Sequence, residues 1–489
     1  MTLKLNDASL LVTGKAYING QWVESDSGDT VPVLNPANGE IIGDIANCGG
    51  AETARAIQVA DHAMQAWKAQ PAKYRADILR EWYNLIMANQ DDLAAIMTAE
   101  QGKVLAESKG EIAYAASFIE WFSEEARRVY GDVVALPQTD RRGIVIKQPV
   151  GVVGAVTPWN FPAAMITRKA GPALAVGCAI VIKPATETPF SALALAVLAD
   201  RAGVPAGLLN IVTGKSSREI GGELTANPTV RKLTFTGSTP VGKQLIKQCA
   251  DTVKKVSMEL GGNAPVIIFD DADLDAAIEG AASSKYRNSG QTCICANRIL
   301  VQDTIYDAFI EKFTAKVATF KIGDGFDSAS THGPVVNAKA AADIHEMVEE
   351  AVSNGAKAVI GGQIDSQGAC FYQPTILTDV NDQMRVFREE IFGPVAPVFK
   401  FSTEEEAIAM ANDTEFGLSS YIYTRDIGRV WRVAEGIEYG MVGVNEVAIT
   451  SDVIPFGGVK ESGMGREGSK YGVEDYMETK YICMGGLDS

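Results

Sequence analysis

The chain has 489 residues, 46% of them hydrophobic, which allows large cores and, on length, roughly three domains. Its 44 basic and 61 acidic residues leave a net charge of −17, which argues against nucleic acid or an anionic membrane as a partner. The seven cysteines lack a framework spacing, the amino end lacks a signal-peptide core, and no apolar run approaches the roughly 20 residues of a membrane span, so we expect a reducing, cytoplasmic location.

The first predicted elements are helices between about residues 50 and 128, where apolar residues recur three and four positions apart. The clearest set is Ile78, Leu79, Trp82, Leu85 and Ile86. We expect these helices to cover one face of a sheet. Residues 127–148 then read as an extended hairpin that turns at 141–143. Such a hairpin exposes unpaired strand edges, so another subunit is expected to cover them.

From residue 150 onward, strand patterns alternate with helix patterns. The predicted strands are 150–156, 179–182, 209–212 and 232–235, and the predicted helices are 165–176, 191–202 and 241–249. After Glu259 the alternation resumes, with strands near 265–269 and 298–301 and helices near 274–288 and 306–320. The alternation predicts an α/β fold with two doubly wound parallel-sheet domains.

Cys293 follows a Gly-Gln-Thr run and has no neighbouring histidine that could activate its thiol. The chain has three histidines, each in a polar or amphipathic stretch unlike a catalytic loop: His62, His332 and His345. A cysteine–histidine hydrolase is therefore disfavoured. We expect a helix N-terminus or a nearby cation, such as Arg287, to lower the thiol pKa instead. No histidine and cysteine cluster has metal-ligand spacing, so no metal is expected.

Two further side chains are candidates for the same chemistry. Glu259 ends a short strand just before two glycines, and a partly apolar cleft would raise its pKa enough to let it take a proton from water near neutral pH. Asn160 follows a valine-rich strand in a proline-bounded turn, from which its amide could donate to an oxyanion. Each has an ordinary alternative, namely a surface glutamate at a strand end and an asparagine that closes a loop.

These three residues lie in the segments 159–162, 259–262 and 290–293, which in this order resemble the aldehyde dehydrogenase superfamily. Further segments extend the resemblance over nearly the whole chain: 235–239, 390–394 and 455–458. Residues 165–169, the pair Cys293 and Cys295, and residues 465–472 are similar, more narrowly, to succinate-semialdehyde dehydrogenases and their glutarate-semialdehyde relatives.

The resemblance implies an NAD(P)-dependent enzyme that oxidises an ω-semialdehyde to a dicarboxylate, with succinate semialdehyde favoured and glutarate semialdehyde or another aldehyde as the alternative. It implies that Cys293 attacks the aldehyde, that Asn160 and the Cys293 amide hold the oxyanion, and that Glu259 activates the water that hydrolyses the thioester. An acylating enzyme that uses coenzyme A is disfavoured by Glu259. A non-catalytic binding protein on this fold is disfavoured by the intact set of three.

The resemblance also implies a cofactor site. Ser238, after the glycine turn at Gly237, would contact the pyrophosphate at a helix N-terminus, and Lys183 would reach the adenosine ribose. The other implied contacts are Thr157, Pro158, Trp159, Gly261, Glu390 and Phe392, the last two for the nicotinamide ribose and ring. NAD-preferring members usually carry an acidic residue where this chain has Thr186. NADP is therefore the expected cofactor, while the neighbouring Glu187 leaves NAD open.

At the far end of the substrate, the resemblance places Arg168 and Arg287, with Ser451 as a third contact. Arginine suits this position because its guanidinium can hold a carboxylate with two hydrogen bonds. Cys295, two residues past the nucleophile, either traps an oxidised Cys293 as a reversible disulfide or is a small residue beneath the site.

The implied domains are a cofactor-binding domain (1–126 and 149–258), a catalytic domain (259–455) and an oligomerisation arm (127–148 and 472–489). The arm combines the hairpin with a last strand near 481–484. A homodimer or homotetramer is expected.

Overall fold

The structure is a computed structural model, and it describes residues 3–487. The strands are β1 (Ala16–Ile18), β2 (Gln21–Val23), β3 (Thr30–Leu34), β4 (Ile41–Ala46), β5 (Asp132–Val134), β6 (Arg142–Pro149), β7 (Val152–Val156), β8 (Ala179–Lys183), β9 (Leu209–Ile211), β10 (Val230–Thr236), β11 (Lys255–Glu259), β12 (Ala264–Ile268), β13 (Ala296–Gln302), β14 (Lys357–Ile360), β15 (Thr375–Thr378), β16 (Val395–Phe401), β17 (Ser419–Tyr423), β18 (Met441–Val444), β19 (Gly463–Met464) and β20 (Met477–Met484).

The α-helices are α1 (Gly50–Lys68), α2 (Ala72–Ala88), α3 (Gln90–Gln101), α4 (Leu105–Glu125), α5 (Ala164–Val176), α6 (Phe190–Arg201), α7 (Ser217–Ala226), α8 (Thr239–Cys249), α9 (Leu274–Tyr286), α10 (Tyr306–Val317), α11 (Ala338–Ser353), α12 (Arg385–Arg388), α13 (Glu404–Asn412) and α14 (Ile427–Gly436). Among residues 3–487, no helix combines the length and apolar character that a membrane crossing requires.

The first sheet has the order β19-β11-β10-β7-β8-β9-β1-β2, and its five central strands run parallel. Strands β7 and β8 are rich in valine and isoleucine and are buried almost throughout, because helices cover both faces of a parallel sheet. The predicted early helices are confirmed as α1 to α4. Helix α7 was not predicted, because Gly221 and Gly222 in its middle weaken the helical pattern.

The second sheet has the order β14-β15-β16-β13-β12-β17-β18 and is parallel except for β14. Residues of β13 alternate between its two faces. Ile299 and Val301 pack with α9 and α10 on one side, whereas Leu300 packs with α13 and α14 on the other. The prediction of two parallel-sheet units is therefore confirmed.

A separate three-stranded sheet, β20-β6-β5, forms the predicted arm. Strand β20 pairs with β6 over eight residues, and most of its side chains are exposed. Residues 456–471, which the domain prediction left unassigned, return the chain to the first sheet. There β19 pairs antiparallel with β11, and Gly463 lies opposite Glu259.

Candidate active site

Two of the three predicted catalytic residues lie near the carboxyl ends of parallel strands of the first sheet, where α/β folds place their sites, and the third precedes a strand of the second sheet. Asn160 follows β7, Glu259 is the last residue of β11, and Cys293 stands between α9 and β13. Asn160 and Cys293 line one cavity of about 300 Å³. Glu259 is close enough for its charge to raise the pKa of Cys293. The structure thus brings all three residues together.

The loop that carries Cys293 has an unusual backbone. Asn288, Ser289 and Gly290 have φ values of 49°, 55° and 77°, three left-handed residues in succession. A Cβ at Gly290 would lie 2.1 Å from the carbonyl oxygen of Gly393. A Cβ at Gly262 would lie 2.4 Å from the carbonyl oxygen of Cys293. These two glycines are therefore required by close backbone approach.

The prediction that the Cys293 pKa is lowered is wrong. The side chain is only partly exposed, and the surrounding protein raises the pKa of the thiol, with further increases from Glu390 and Glu259 and an opposing effect from Arg168. Arg287 is exposed, and its guanidinium lies 5.2 Å from the ring centre of Phe161. Because burial disfavours the thiolate, a base that takes the thiol proton would assist attack on a carbonyl.

Glu259 is 3% exposed, and neither of its carboxylate oxygens has a hydrogen-bond partner among the described residues. Burial raises its pKa well above the ordinary value, and the charge of Glu467 raises it further, whereas Arg168 and Lys169 oppose the shift. The predicted rise is confirmed. A buried carboxyl with no fixed partner is suited to exchanging a proton with water or with a thiol.

Lys169 and Glu467 were not predicted as site residues. Lys169 is fully buried, donates to Thr236 Oγ1 at 2.8 Å and forms an ion pair with Glu467, which also lies 3.2 Å from Arg168 Nε. The sequence signal that could have identified this pair is the largely apolar segment of α5, because a helix that is apolar on all sides is buried on all sides. A basic residue on such a helix needs a buried carboxylate, here supplied from 298 positions away.

Asn160 makes the loop-closing hydrogen bond that was its ordinary alternative, and its role toward an oxyanion stays a prediction. Its Nδ2 donates to the carbonyl oxygen of Gln291 at 3.0 Å, which closes a loop against the cysteine segment. A side-chain amide has two N–H bonds, so one remains for an oxyanion in the cavity. The Asn160 carbonyl accepts from Lys103 Nζ at 2.7 Å and from Asn288 Nδ2 at 3.1 Å.

Most of the predicted cofactor contacts line the 300 Å³ cavity: Pro158, Trp159, Gly237, Ser238, Gly261, Glu390 and Phe392. Ser238 is the N-cap of α8 and does not cap it with its own side chain, so the hydroxyl is available to a ligand. A Cβ at Gly261 would lie 2.7 Å from Glu390 Oε2, so a side chain there would displace the Glu390 carboxylate. The surrounding protein raises the pKa of Glu390 to about 7.

Three predicted cofactor contacts lie outside this cavity. The backbone amide of Thr157 donates to the Lys183 carbonyl at 3.1 Å, which ties the ends of β7 and β8 together. Lys183 Nζ donates to the Pro184 carbonyl at 3.1 Å, and burial lowers its pKa. Thr186 donates to the Gly214 carbonyl at 3.1 Å and, with Glu187, lines a second cavity of about 570 Å³.

A smaller cavity of about 30 Å³ also contains Cys293 and is lined by both predicted substrate arginines. Arg168 is 2% exposed, and its guanidinium lies 4.1 Å from the ring centre of Phe456, so it is not on a solvated helix face. Ser451 does not line this cavity. Its hydroxyl donates to Asp452 Oδ1 at 3.1 Å, and the neighbouring Thr450 lines the wall.

Cys295 is buried beneath the reactive loop. Its Sγ lies 3.3 Å from the Gly290 carbonyl and 3.8 Å from Lys285 Nζ, and burial raises its pKa. Its oxidation to a disulfide stays a prediction. Within residues 3–487, no group of histidine, cysteine or carboxylate side chains is arranged to hold a metal ion.

Among known proteins, the aldehyde dehydrogenase family provides a model that matches residues 22–482 of this chain. A glutarate-semialdehyde dehydrogenase of Pseudomonas aeruginosa is 61% identical over 99% of this chain and 100% of its own length. A succinate-semialdehyde dehydrogenase of Escherichia coli, named as NADP-dependent, is 59% identical over 99% of this chain and 100% of its own. The crystal structure of an Escherichia coli NADP-dependent enzyme superposes with a TM-score of 0.97 at 59% identity, covering 99% and 100% of the two chains. The chain belongs to the aldehyde dehydrogenase family.

Proposed function

We propose that the protein oxidises an ω-semialdehyde, succinate or glutarate semialdehyde, to the dicarboxylate with NADP or NAD. The observation that carries the proposal is the position of Cys293, which lines both cavities. One cavity contains the predicted nicotinamide contacts and the other contains Arg168 and Arg287. An aldehyde bonded to this sulfur would face a hydride acceptor on one side and hold its carboxylate on the other.

The nicotinamide end of the dinucleotide would lie in the larger cavity. In this proposal Ser238, at the N-terminus of α8, contacts a phosphate, and Glu390 and Phe392 contact the ribose and ring; the support is that all three line the cavity. When bound there, the nicotinamide accepts a hydride.

The reaction then follows from the side chains. Cys293 Sγ bonds to the carbonyl carbon and its proton passes to the carboxylate of Glu259, which then returns it to water, while the free N–H of Asn160 and the Cys293 amide hold the oxyanion. Loss of hydride leaves a thioester. Glu259 takes a proton from a water molecule that attacks the thioester carbon, and the sulfur departs as the carboxylate forms.

For the cofactor, we propose that NADP is accepted. The support is Thr186, a neutral residue that would not repel a 2′-phosphate, together with the buried Lys183 on the adjoining strand. The names of the Escherichia coli relatives agree with this choice, whereas a betaine aldehyde dehydrogenase at 34% identity is described with NAD⁺.

A substrate panel tests the proposal. The reduction of NADP and of NAD is followed with succinate semialdehyde, glutarate semialdehyde and neutral aldehydes of equal length. We expect the highest kcat/KM with a semialdehyde. Equal efficiency on neutral aldehydes would overturn the substrate assignment, and a strong preference for NAD would overturn the cofactor assignment. One methylene changes binding only modestly, so the panel must include both semialdehydes.

We also propose that the protein is a homo-oligomer joined through the arm. The support is β20, an edge strand of the arm sheet with exposed apolar side chains. An exposed apolar edge strand invites pairing with another chain.

A further inference from the structure

A buried ion pair lies behind the oxyanion site. Lys103, in the link between α3 and α4, is 2% exposed, and its Nζ pairs with Glu111, which is 1% exposed. The same Nζ donates to the Asn160 carbonyl at 2.7 Å and lies 4.2 Å from the ring centre of Phe161. Burying two charges is costly unless each finds further partners, so the contacts of this pair are informative.

Glu111 anchors the other end of the Asn160 turn. Its Oε1 accepts from the backbone amides of Ala163 at 3.0 Å and Ala164 at 3.3 Å, where α5 begins. The Lys103 ammonium therefore binds the carbonyl of Asn160, and the Glu111 carboxylate binds the backbone amides of Ala163 and Ala164 in the same turn. This leaves the backbone that carries Asn160 little freedom to rotate.

Asn288 links the same turn to the reactive loop. Its Nδ2 lies 3.1 Å from the Asn160 carbonyl and 3.3 Å from the Gln291 carbonyl, and the latter also accepts from Asn160 Nδ2. The backbone amide of Asn288 donates to Glu107 Oε1 at 2.9 Å, so α4 holds this loop as well. The donor side chain and the cysteine loop thus share one set of hydrogen bonds.

We propose that Lys103, Glu111 and Asn288 are positioning residues that fix the Asn160 amide relative to Cys293 for oxyanion stabilisation. The inference rests on the proposed function. None of the three lines either cavity that contains Cys293, so they act through Asn160 and the loop. A misplaced oxyanion donor loses rate without losing substrate affinity, because the charge develops only in the transition state.

A double-mutant cycle tests the inference. Removal of an oxyanion donor typically costs about 100-fold to 1,000-fold in kcat, which is the loss expected for Asn160→Ala. We expect Lys103→Met to lower kcat about tenfold or more, with KM for semialdehyde and NADP binding changed less than about threefold. In the Asn160→Ala background, Lys103→Met should change kcat less than about threefold, because the group through which it acts is absent. Equal fold losses in both backgrounds, or a loss confined to KM, would overturn the inference.

Lys103→Met leaves Glu111 without its cation and could prevent folding, so Asn288→Gly is the second variant. Glycine tolerates the left-handed backbone conformation of Asn288, and this substitution removes only the side-chain amide. We expect the same pattern, a lower kcat at unchanged KM that disappears beside Asn160→Ala. Lys254→Met is the matched control, since Lys254 is also buried and bonds two backbone carbonyls away from the site. It should lower stability and leave kcat unchanged.

The outcomes separate the two proposals. A wild-type protein without semialdehyde oxidation, or full activity in Asn160→Ala, would refute the proposed chemistry and this inference with it. If the wild type is active and Asn160→Ala is impaired, the proposed chemistry stands. Additive losses in the cycle would then refute only the positioning role of Lys103, Glu111 and Asn288.

Discussion

At the scale of single residues, the site is organised around two ionisable groups, Cys293 and Glu259. Burial raises the pKa of both Cys293 and Glu259, and the charge of Glu259 raises the pKa of Cys293 further. Arg168, which lines the smaller cavity, opposes both shifts. Groups whose charged forms are costly suit chemistry that creates charge only during turnover.

Glu259→Gln should separate the two halves of the reaction. We expect the acyl-enzyme to form and then persist, with kcat reduced by about 100-fold or more, because a general base typically supplies that much. In the wild type the base form of Glu259 increases as pH rises, so thioester hydrolysis should accelerate with pH beyond the usual glutamate range, and the variant should lose this rise. Mass spectrometry of quenched turnover and kcat from pH 5.5 to 9 provide the measurements. Cys293→Ala is the control that can form no adduct, and unchanged turnover in Glu259→Gln would refute the assignment.

Arg287→Ala tests recognition of the substrate carboxylate. We expect KM for succinate semialdehyde to rise about tenfold or more, and KM for a neutral aldehyde to change little, because a charged hydrogen bond is typically worth about 1.5–3 kcal/mol. Steady-state kinetics on the two substrates measure the difference. Arg231, an exposed arginine away from the cavity that holds Arg287, supplies the control variant. Equal losses on both substrates would show that Arg287 has no part in selectivity.

At the scale of elements, helix ends are held by distant carboxylates. Glu100 on α3 accepts from the backbone amides of Phe190 at 2.7 Å and Ser191 at 2.8 Å, where α6 begins. Glu111 does the same for α5. The unpaired N–H groups of a buried helix start are thus satisfied from another helix, which fixes how α3, α4, α5 and α6 pack together.

Glu100→Gln should change how stability depends on pH. Burial raises the pKa of Glu100 to about 8 from 4.5, so its stabilising contribution is present below about pH 4.5 and is lost as pH rises through 8. Glutamine keeps one of the two acceptor oxygens and does not titrate. We therefore expect the difference in Tm, variant minus wild type, to become more positive as pH increases from 5 to 9. Thermal unfolding at each pH measures this difference. A difference that stays constant with pH would contradict the burial argument.

At the scale of the whole molecule, two sheets meet at the reactive loop and the arm extends from the first. The arm exposes Val133 at 80%, Tyr481 at 56% and Met484 at 48%. Such apolar exposure on a sheet edge is costly for a single chain in water. A second copy of the chain that pairs with β20 would cover it.

Charged substitutions on the arm test this arrangement. Tyr481→Asp with Ile482→Asp should shift the protein to smaller species, because burying unpaired carboxylates in an interface is unfavourable. Analytical ultracentrifugation gives the mass. Val352→Asp on α11 is the control, since Val352 is comparably exposed at 45% but lies outside the arm. An unchanged mass would place the interface elsewhere or show a monomer.

The sequence alone determined much of this protein, because local patterns carry local structure. The alternation of strand and helix patterns predicted both parallel sheets, and the strand, glycine turn and helix around Ser238 are as expected. The segments around Asn160, Glu259 and Cys293 identified the chemistry. Each of these signals lies within a few consecutive residues.

Only the tertiary structure decided which charges are buried and with which partners. Lys169 finds Glu467, Lys103 finds the Asn160 carbonyl, and Thr450 takes the cavity position predicted for Ser451. The rise in the Cys293 pKa likewise follows from surrounding protein and from charges on distant segments. Electrostatic free energies depend on distance and on the exclusion of water, and neither quantity is defined until the chain has folded.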